Sequence, residues 1–139
     1  MNFRTVLLAG ATFACFGNAQ AQDAAMQGQA PMPEACLSGP ATPDHGMAAP
    51  SANLSEHQAA MMQGMMATSD QMLQGVMAED PDIAFACGMI PHHQAAINMA
   101  KAELEYGDDD RMKEMAQTII DAQTKEMEEL TSWVEEHAK

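Results

Sequence analysis

The sequence predicts an all-α fold, a small antiparallel bundle of three main helices. Three successive segments between residue 54 and the C-terminus carry apolar side chains every three or four positions, the repeat of an amphipathic helix. Residues that commonly cap helices flank these segments, and no stretch shows the apolar–polar alternation of a β-strand. Because the links between the segments are short, neighbouring helices are expected to run antiparallel. A segment of about 85 residues supports one small core.

The first predicted helix begins at a capping box, in which Ser55 and Gln58 satisfy each other's free backbone groups. Gly64 and Gly75 weaken this helix somewhat. Its apolar side chains are mostly methionines. Those predicted to face the core are Met62, Met65, Met66, Met72, Leu73, Val76 and Met77.

The second predicted helix is capped by Asp80, has Pro81 at its first position and ends at Gly107. Pro91 lies in its interior and lacks the N–H that would bond to the carbonyl of Cys87. The helix is therefore expected to kink at Pro91 or to begin afresh there. The residues predicted to face the core are Phe85, Met89, Ala96, Ala100 and Leu104.

The third predicted helix follows a cap at Asp108 or Asp109 and continues to the C-terminus. Its apolar side repeats every three or four residues, which predicts one long helix with a continuous packing face. The residues on that face are Met112, Met115, Ala116, Ile119, Ile120, Gln123, Met127, Leu130, Val134 and His137.

The N-terminal part of the chain predicts export. Arg4 precedes a short apolar run and an A-x-A cleavage signal that ends at Ala21, so residues 1–21 are predicted to be a secretory signal peptide. No apolar stretch is long enough to span a membrane. Residues 22–53 are rich in Ala, Pro, Gly and Gln and are predicted to form a disordered tail before a helical domain over residues 54–139. The expected location is periplasmic or secreted.

Two cysteines remain after cleavage, Cys36 in the tail and Cys87 on the second helix. An oxidising compartment permits a disulfide between them. A metal-binding Cys87 and an inert buried Cys87 are the alternatives.

The composition is acidic and rich in methionine. The chain has 20 acidic and 6 basic residues, a formal charge of −14 that becomes −15 without Arg4. This charge argues against nucleic-acid partners and anionic membranes, and it suits cations, although solubility alone accounts for most of the carboxylates. The 15 methionines are unusual because a methionine core specifies packing poorly. Another property is therefore expected to select the thioether sulfur.

The residues around Pro91 are the main candidates for a metal site. Met89 and His93 are four residues apart and share one side of the helix, whereas His92 and Met99 are seven apart and share another. The two imidazoles are about 100° apart around the helix, so they need not bind one ion together. Methionines at helical spacing are usually core residues, but here they flank a histidine pair beside a helix-breaking proline.

Two weaker candidates lie outside this cluster. The first helix offers a second soft-metal patch, and the tail offers a flexible donor pair at His45 and Met47 that is equally well explained by chance. The candidate residues of the patch are His57, Met61, Met62, Met65 and Met66.

The chemistry of these donors favours copper. Thioether sulfur selects soft Cu(I), and imidazole suits both Cu(I) and Cu(II). A thioether binds without losing a proton and cannot be trapped in a disulfide, which suits an oxidising compartment. Mg²⁺ and Ca²⁺ would require oxygen ligands at fixed positions, and the sequence has no calcium-loop pattern.

The sequence also resembles a known family. Residues 89–100 read MIPHHQAAINMA and follow Asp82 and Phe85, a run similar to the hallmark M-[IV]-P-H-H-Q-x-A-[IV]-x-M-A of the CopM-like copper-binding family, long catalogued as a domain of unknown function. The resemblance covers about residues 54–137. It continues through the third helix at Ala116, Ile119, Ile120, Gln123, Glu126, Met127, Leu130 and Trp133.

This resemblance implies a ferritin-like bundle that binds copper or silver in the periplasm and contributes to copper tolerance. It implies a metal role for Met89, His92, His93 and Met99, and envelope copper-handling proteins as partners. Many relatives carry two copies of the motif and this chain carries one. Three helices are expected to leave an apolar face uncovered, so a homodimer that completes a larger bundle is a hypothesis.

Three classes of function follow. The favoured one is a copper buffer or chaperone without catalytic activity. A ferritin-like metal-dependent oxidoreductase is disfavoured because diiron bundles use a Glu-x-x-His pattern, and no Glu here is followed by His three residues later. A partner-binding or stress-related bundle would use the methionines as an adaptable apolar surface.

Overall fold

The computed structural model describes residues 28–37 and 53–138, and within them every regular element is helical. The main helices are α1 (Glu56–Gly75), α2 (Pro81–Tyr106) and α3 (Asp110–His137), preceded by a short 3₁₀ helix at Glu34–Leu37. The predicted all-α fold with three main helices is confirmed. Within the described ranges, no helix is long and apolar enough to cross a bilayer.

The predicted caps set where the helices begin. The Ser55 N–H donates to Oε1 of Gln58 at 3.0 Å before α1. Asp80 accepts from the N–H groups of Asp82 and Ile83 at 2.9 and 3.0 Å, and Asp109 accepts from Met112 at 2.9 Å. Each carboxylate satisfies backbone donors that have no partner within the helix.

Helix α2 lies in the middle and packs against α1 on one side and α3 on the other. Small residues allow α1 to approach closely. A Cβ atom on Gly64 would lie 2.8 Å from Cβ of Asn98, and one on Gly75 would overlap the carbonyl oxygen of Cys87. Since residue 64 meets residue 98 and residue 75 meets residue 87, α1 and α2 are antiparallel, as predicted.

Residues 28–37, called here the N-terminal segment, lie across α1 and α2. Gln71 exchanges two hydrogen bonds with the backbone of Ala30, at 2.8 and 2.9 Å. Asn98 donates both to the carbonyl of Gly28 at 2.8 Å and to that of Gly64 at 3.0 Å. This part of the predicted disordered tail is ordered instead, because these bonds and a disulfide hold it. Residues 1–27 and 38–52, including the predicted signal peptide, lie outside the described residues.

The disulfide joins Cys36 to Cys87, with 5.3 Å between their Cα atoms. Cys36 is 2% exposed and Cys87 is fully buried. Of the three alternatives left by the sequence, the disulfide is the one found, and a metal-binding Cys87 is wrong.

The core lies where the N-terminal segment, α2 and α3 meet. It consists of two clusters of buried side chains, one at each end of the N-terminal segment. The first contains Ala30, Ile90, Ile97 and Met127, and the second contains Cys36, Ala86, Cys87 and Val134.

Several residues predicted to face the core are exposed. Phe85 on α2 is 63% exposed, and the sequence placed it on the packing face. Helix α2 packs against α1 and α3 through small and β-branched residues, and the N-terminal segment covers a third side. Phe85 is exposed because it lies on the remaining side. The other residues for which the prediction was wrong are Met65, Leu73, Val76, Met77, Met112, Met115, Ile119 and His137.

Helix α2 continues through Pro91 without interruption. The alternative in which a new helix begins at Pro91 is therefore wrong. Pro91 is buried among its neighbours, as are Ile90 and His93 on either side.

Candidate metal centre

The two adjacent histidines of α2 point to different surroundings. His93 is 6% exposed and lies between α2 and α3, whereas His92 is exposed. Their ring centroids are 5.9 Å apart and the ring planes meet at 61°. This agrees with the predicted separation of about 100° around the helix, with the ring of His93 towards α3 and the ring of His92 exposed.

His93 contacts a residue that is distant in sequence. Its Nε2 lies 2.7 Å from Oε2 of Glu126 on α3. Its other ring nitrogen, Nδ1, is buried and has no hydrogen-bond partner. Such buried atoms are uncommon in native proteins and call for an explanation.

An open groove of about 450 Å³ lies between α2 and α3 at this point. Met89 and His93 line it together from α2, which confirms that they share one side of the helix. The other lining residues are Phe85 on α2 and Glu126, Glu129, Leu130 and Trp133 on α3. The groove thus combines one thioether, one imidazole, two carboxylates and aromatic walls.

His92 and Met99 do not line the groove. Met99 is 40% exposed and lies two turns after His92, on the outer surface of α2. Phe85 and Tyr106 continue the same seven-residue repeat and are also exposed. This repeat forms an exposed ridge along the side of α2 that the N-terminal segment does not cover.

The methionines of α1 lie near one end of this ridge. The contact of Gly64 with Asn98 places Met61 and Met65 at the level of Met99. Met65 is exposed, while Met61, Met62 and Met66 are partly buried. On α1, Gln71 bonds to the N-terminal segment, and Thr68 is fully buried. Around the helix, Gln71 lies on one side of Thr68 and Met65 lies on the other, so Met65 is on the side away from the N-terminal segment.

The remaining candidates are separate from the groove. His57 is exposed in the first turn of α1, with Nδ1 3.0 Å from the Ser55 hydroxyl. Because α1 and α2 are antiparallel, this turn lies towards the end of α2 and away from His93. His45 and Met47 lie outside the described residues.

Among residues 28–37 and 53–138, no three His, Cys, Asp or Glu side chains lie close enough together to hold a metal ion. A site at the groove would have to use the thioether of Met89 together with His93.

The chain matches the family model described as Domain of unknown function (DUF305) over residues 17–134. The protein belongs to the DUF305 family. The match begins well before the first main helix, so it includes the N-terminal segment and Cys36 as well as the helices. No curated protein matches the chain.

Within the DUF305 match, the sequence predicts a site role for Met89 and His93 but not for the groove residues Glu126 and Trp133. Both are positions that the chain shares with the similar family. They lie 33 and 40 residues after His93, and only the packing of α3 on α2 brings them to the groove. The sequence carried one indirect signal, since both lie three or four residues from Leu130, which packs against the core.

Proposed function

We propose that this protein binds Cu(I) as a copper buffer or chaperone of the bacterial cell envelope and catalyses no reaction. The observation that supports this most directly is the groove, where Met89 lies beside a buried His93 whose Nδ1 has no partner. Ag(I) would bind in the same way, and Cu(II) is a secondary ligand. Export and delivery to envelope copper-handling proteins belong to the same proposal.

The donor types support a soft monovalent ion. One thioether and one imidazole are neutral and suit Cu(I), which accepts few ligands and prefers sulfur and nitrogen. Leu130 and Trp133 are partly buried and give the groove an apolar wall on the α3 side. Such a wall lowers access of water to a bound ion.

The exposed ridge carries further soft donor side chains on the same open side of the molecule. His92 and Met99 lie on it, and Met61 and Met65 lie near Met99 across the helix pair. We propose that these residues form a second, more exposed Cu(I) position. A buffer with one position at a buried histidine and one on the exposed ridge could accept an ion at the surface and retain another in the groove.

Competition against a chromogenic Cu(I) chelator tests the proposal, with the exported chain carrying its intact disulfide. Replacing a direct ligand should cost more than the roughly 10- to 100-fold typical of outer-shell residues. We therefore expect His93→Ala to weaken the tighter site by more than 100-fold, and Met89→Leu to do so while conserving volume. His92→Ala should weaken only the second site.

Met77→Leu is the matched control, because Met77 is an exposed methionine in the turn after α1 and belongs to neither proposed position. Its Cu(I) affinity should equal that of the wild type. Unchanged affinity in the His92→Ala/His93→Ala double variant would refute the site.

The uncovered apolar side favours a second property, self-association. Large apolar side chains are exposed on α2 and α3, and extended exposed patches commonly mark interaction surfaces. We propose that a second copy covers them and completes a larger bundle. The residues concerned are Phe85, Met112, Met115 and Ile119. Sedimentation equilibrium should give a dimer that Met115→Glu/Ile119→Glu dissociates, and a monomeric wild type would refute this.

A further inference from the structure

We infer that Nδ1 of His93 is the metal-binding atom and that Glu126 is a positioning residue that prepares it. This inference rests on the proposed Cu(I) function and specifies how the groove site works. It assigns different roles to the two ring nitrogens, which the sequence motif cannot distinguish.

The hydrogen bond to Glu126 fixes the tautomer. A carboxylate offers only acceptor atoms, so the proton in the 2.7 Å bond must be on Nε2 of His93. A short bond of this kind is typical of a charged acceptor. In the neutral ring the second nitrogen, Nδ1, then carries the free lone pair that a metal requires.

The surroundings of Nδ1 agree with that assignment. This atom is buried and has no hydrogen-bond partner, although most buried polar atoms have one. A bound ion would provide the missing partner. Metal-binding histidines commonly donate their other ring N–H to a carboxylate, which fixes the ring orientation and raises the basicity of the ligand. His93 and Glu126 show this arrangement.

Met89 supplies the second donor on the same side. Helical side chains lean towards the N-terminus, so the ring of His93 lies over the turn that carries Met89, four residues earlier. Both side chains line the groove. A two-coordinate site with one nitrogen and one sulfur suits Cu(I) and Ag(I).

The first test reads the tautomer without metal. Long-range ¹H–¹⁵N correlation spectra of the ¹⁵N-labelled exported chain report which nitrogen of each histidine carries the proton, and His93→Gln identifies the His93 signals. We expect a protonated Nε2 and an unprotonated Nδ1. On titration with silver nitrate in chloride-free buffer, the signal of Nδ1 should shift while Nε2 keeps its proton.

The second test compares Glu126 with a matched carboxylate. Glu129 lies on the same groove and the same helix, but it pairs with Lys125 at 3.5 Å rather than with His93. Glu126→Ala should lower Ag(I) affinity about 10- to 100-fold, as expected for loss of the carboxylate behind a ligand. Glu129→Ala should change it less than about twofold if outer-shell support, rather than charge, is decisive.

Glu126→Gln gives the conservative comparison. The amide oxygen can still accept from Nε2–H, so this variant should keep the tautomer and lose less affinity than Glu126→Ala. If Glu126 does not fix the tautomer, the tautomer equilibrium of His93 stays unchanged in Glu126→Ala, whereas the proposed role predicts that the proton redistributes between the two nitrogens.

The outcomes separate the two proposals. A wild type that binds neither Ag(I) nor Cu(I) would overturn the Cu(I) function and this inference together. Binding with Nε2 as the shifted nitrogen, a metal-free His93 protonated on Nδ1, or equal losses in Glu126→Ala and Glu129→Ala would overturn this inference and leave the Cu(I) function standing.

Discussion

Removing the disulfide should destabilise the protein more than any single surface change. The bond joins residues 51 positions apart, and closing such a loop lowers the entropy of the unfolded chain by the equivalent of about 4 kcal/mol at 25 °C. Both sulfurs are buried, and Cys36 packs with Ala86 and Val134. Without the bond, the N-terminal segment keeps its hydrogen bonds to α1 and α2 and the packing of Ala30 in the core.

Urea unfolding monitored by circular dichroism at 222 nm measures this effect in the Cys36→Ala/Cys87→Ala variant. With a denaturant dependence of about 1–2 kcal/mol per molar urea for a small domain, the midpoint should fall by roughly 2–4 M. The wild type unfolded in reductant should show a similar decrease. The double variant itself should not respond to reductant, which shows that the reductant acts through this bond.

A double variant whose midpoint lies within about 0.3 M of the oxidised wild type would refute the argument. It would mean that the loop does not restrict the unfolded chain, or that the native bond introduces an opposing cost, as some disulfides do. Hydrogen exchange separates these cases, because loss of the bond should raise exchange in the N-terminal segment before it does so in α2.

Three further predictions follow from the packing. Gly75→Ala should destabilise the protein by about 3 kcal/mol, because overlap of the new Cβ atom with the α2 backbone outweighs the roughly 1 kcal/mol that alanine gains over glycine in a helix. A higher melting temperature would contradict this prediction. Asn98→Ala should lower the free energy of unfolding in urea by about 1–3 kcal/mol, because the carbonyls of Gly28 and Gly64 lose their shared donor. Hydrogen exchange at residue 30 of the N-terminal segment should rise, and unchanged exchange would contradict the prediction. Ile90→Ala should cost about 2–5 kcal/mol by calorimetry, whereas Phe85→Ser should cost under about 1 kcal/mol, and the reverse order would show that Phe85 is a core residue.

The sequence predicted the helices well because their signals are local. Caps at Ser55, Asp80 and Asp109 involve backbone groups within three residues, so their positions follow from neighbouring side chains. The placement of Met89 and His93 on one side of a helix depends only on helical geometry, and the groove confirms it.

The buried faces were predicted less well. Apolar periodicity identified Met127 and Val134 as core residues correctly, but it also assigned Phe85 and Met65 to the core. Periodicity shows which residues share a side of a helix and not which side meets a neighbour. On α1 the neighbour is met by glycine and threonine, because close helix contact requires small side chains there.

The sequence by itself determined three capped helices, a thioether and an imidazole one turn apart, and a pair of cysteines able to form a bridge. Only the tertiary structure decided that Cys36 reaches Cys87 and that Glu126 reaches Nε2 of His93. The physical reason is range. Helix formation and side-chain spacing are set within about four residues, whereas contacts across 51 or 33 positions depend on how the packed helices place distant parts of the chain.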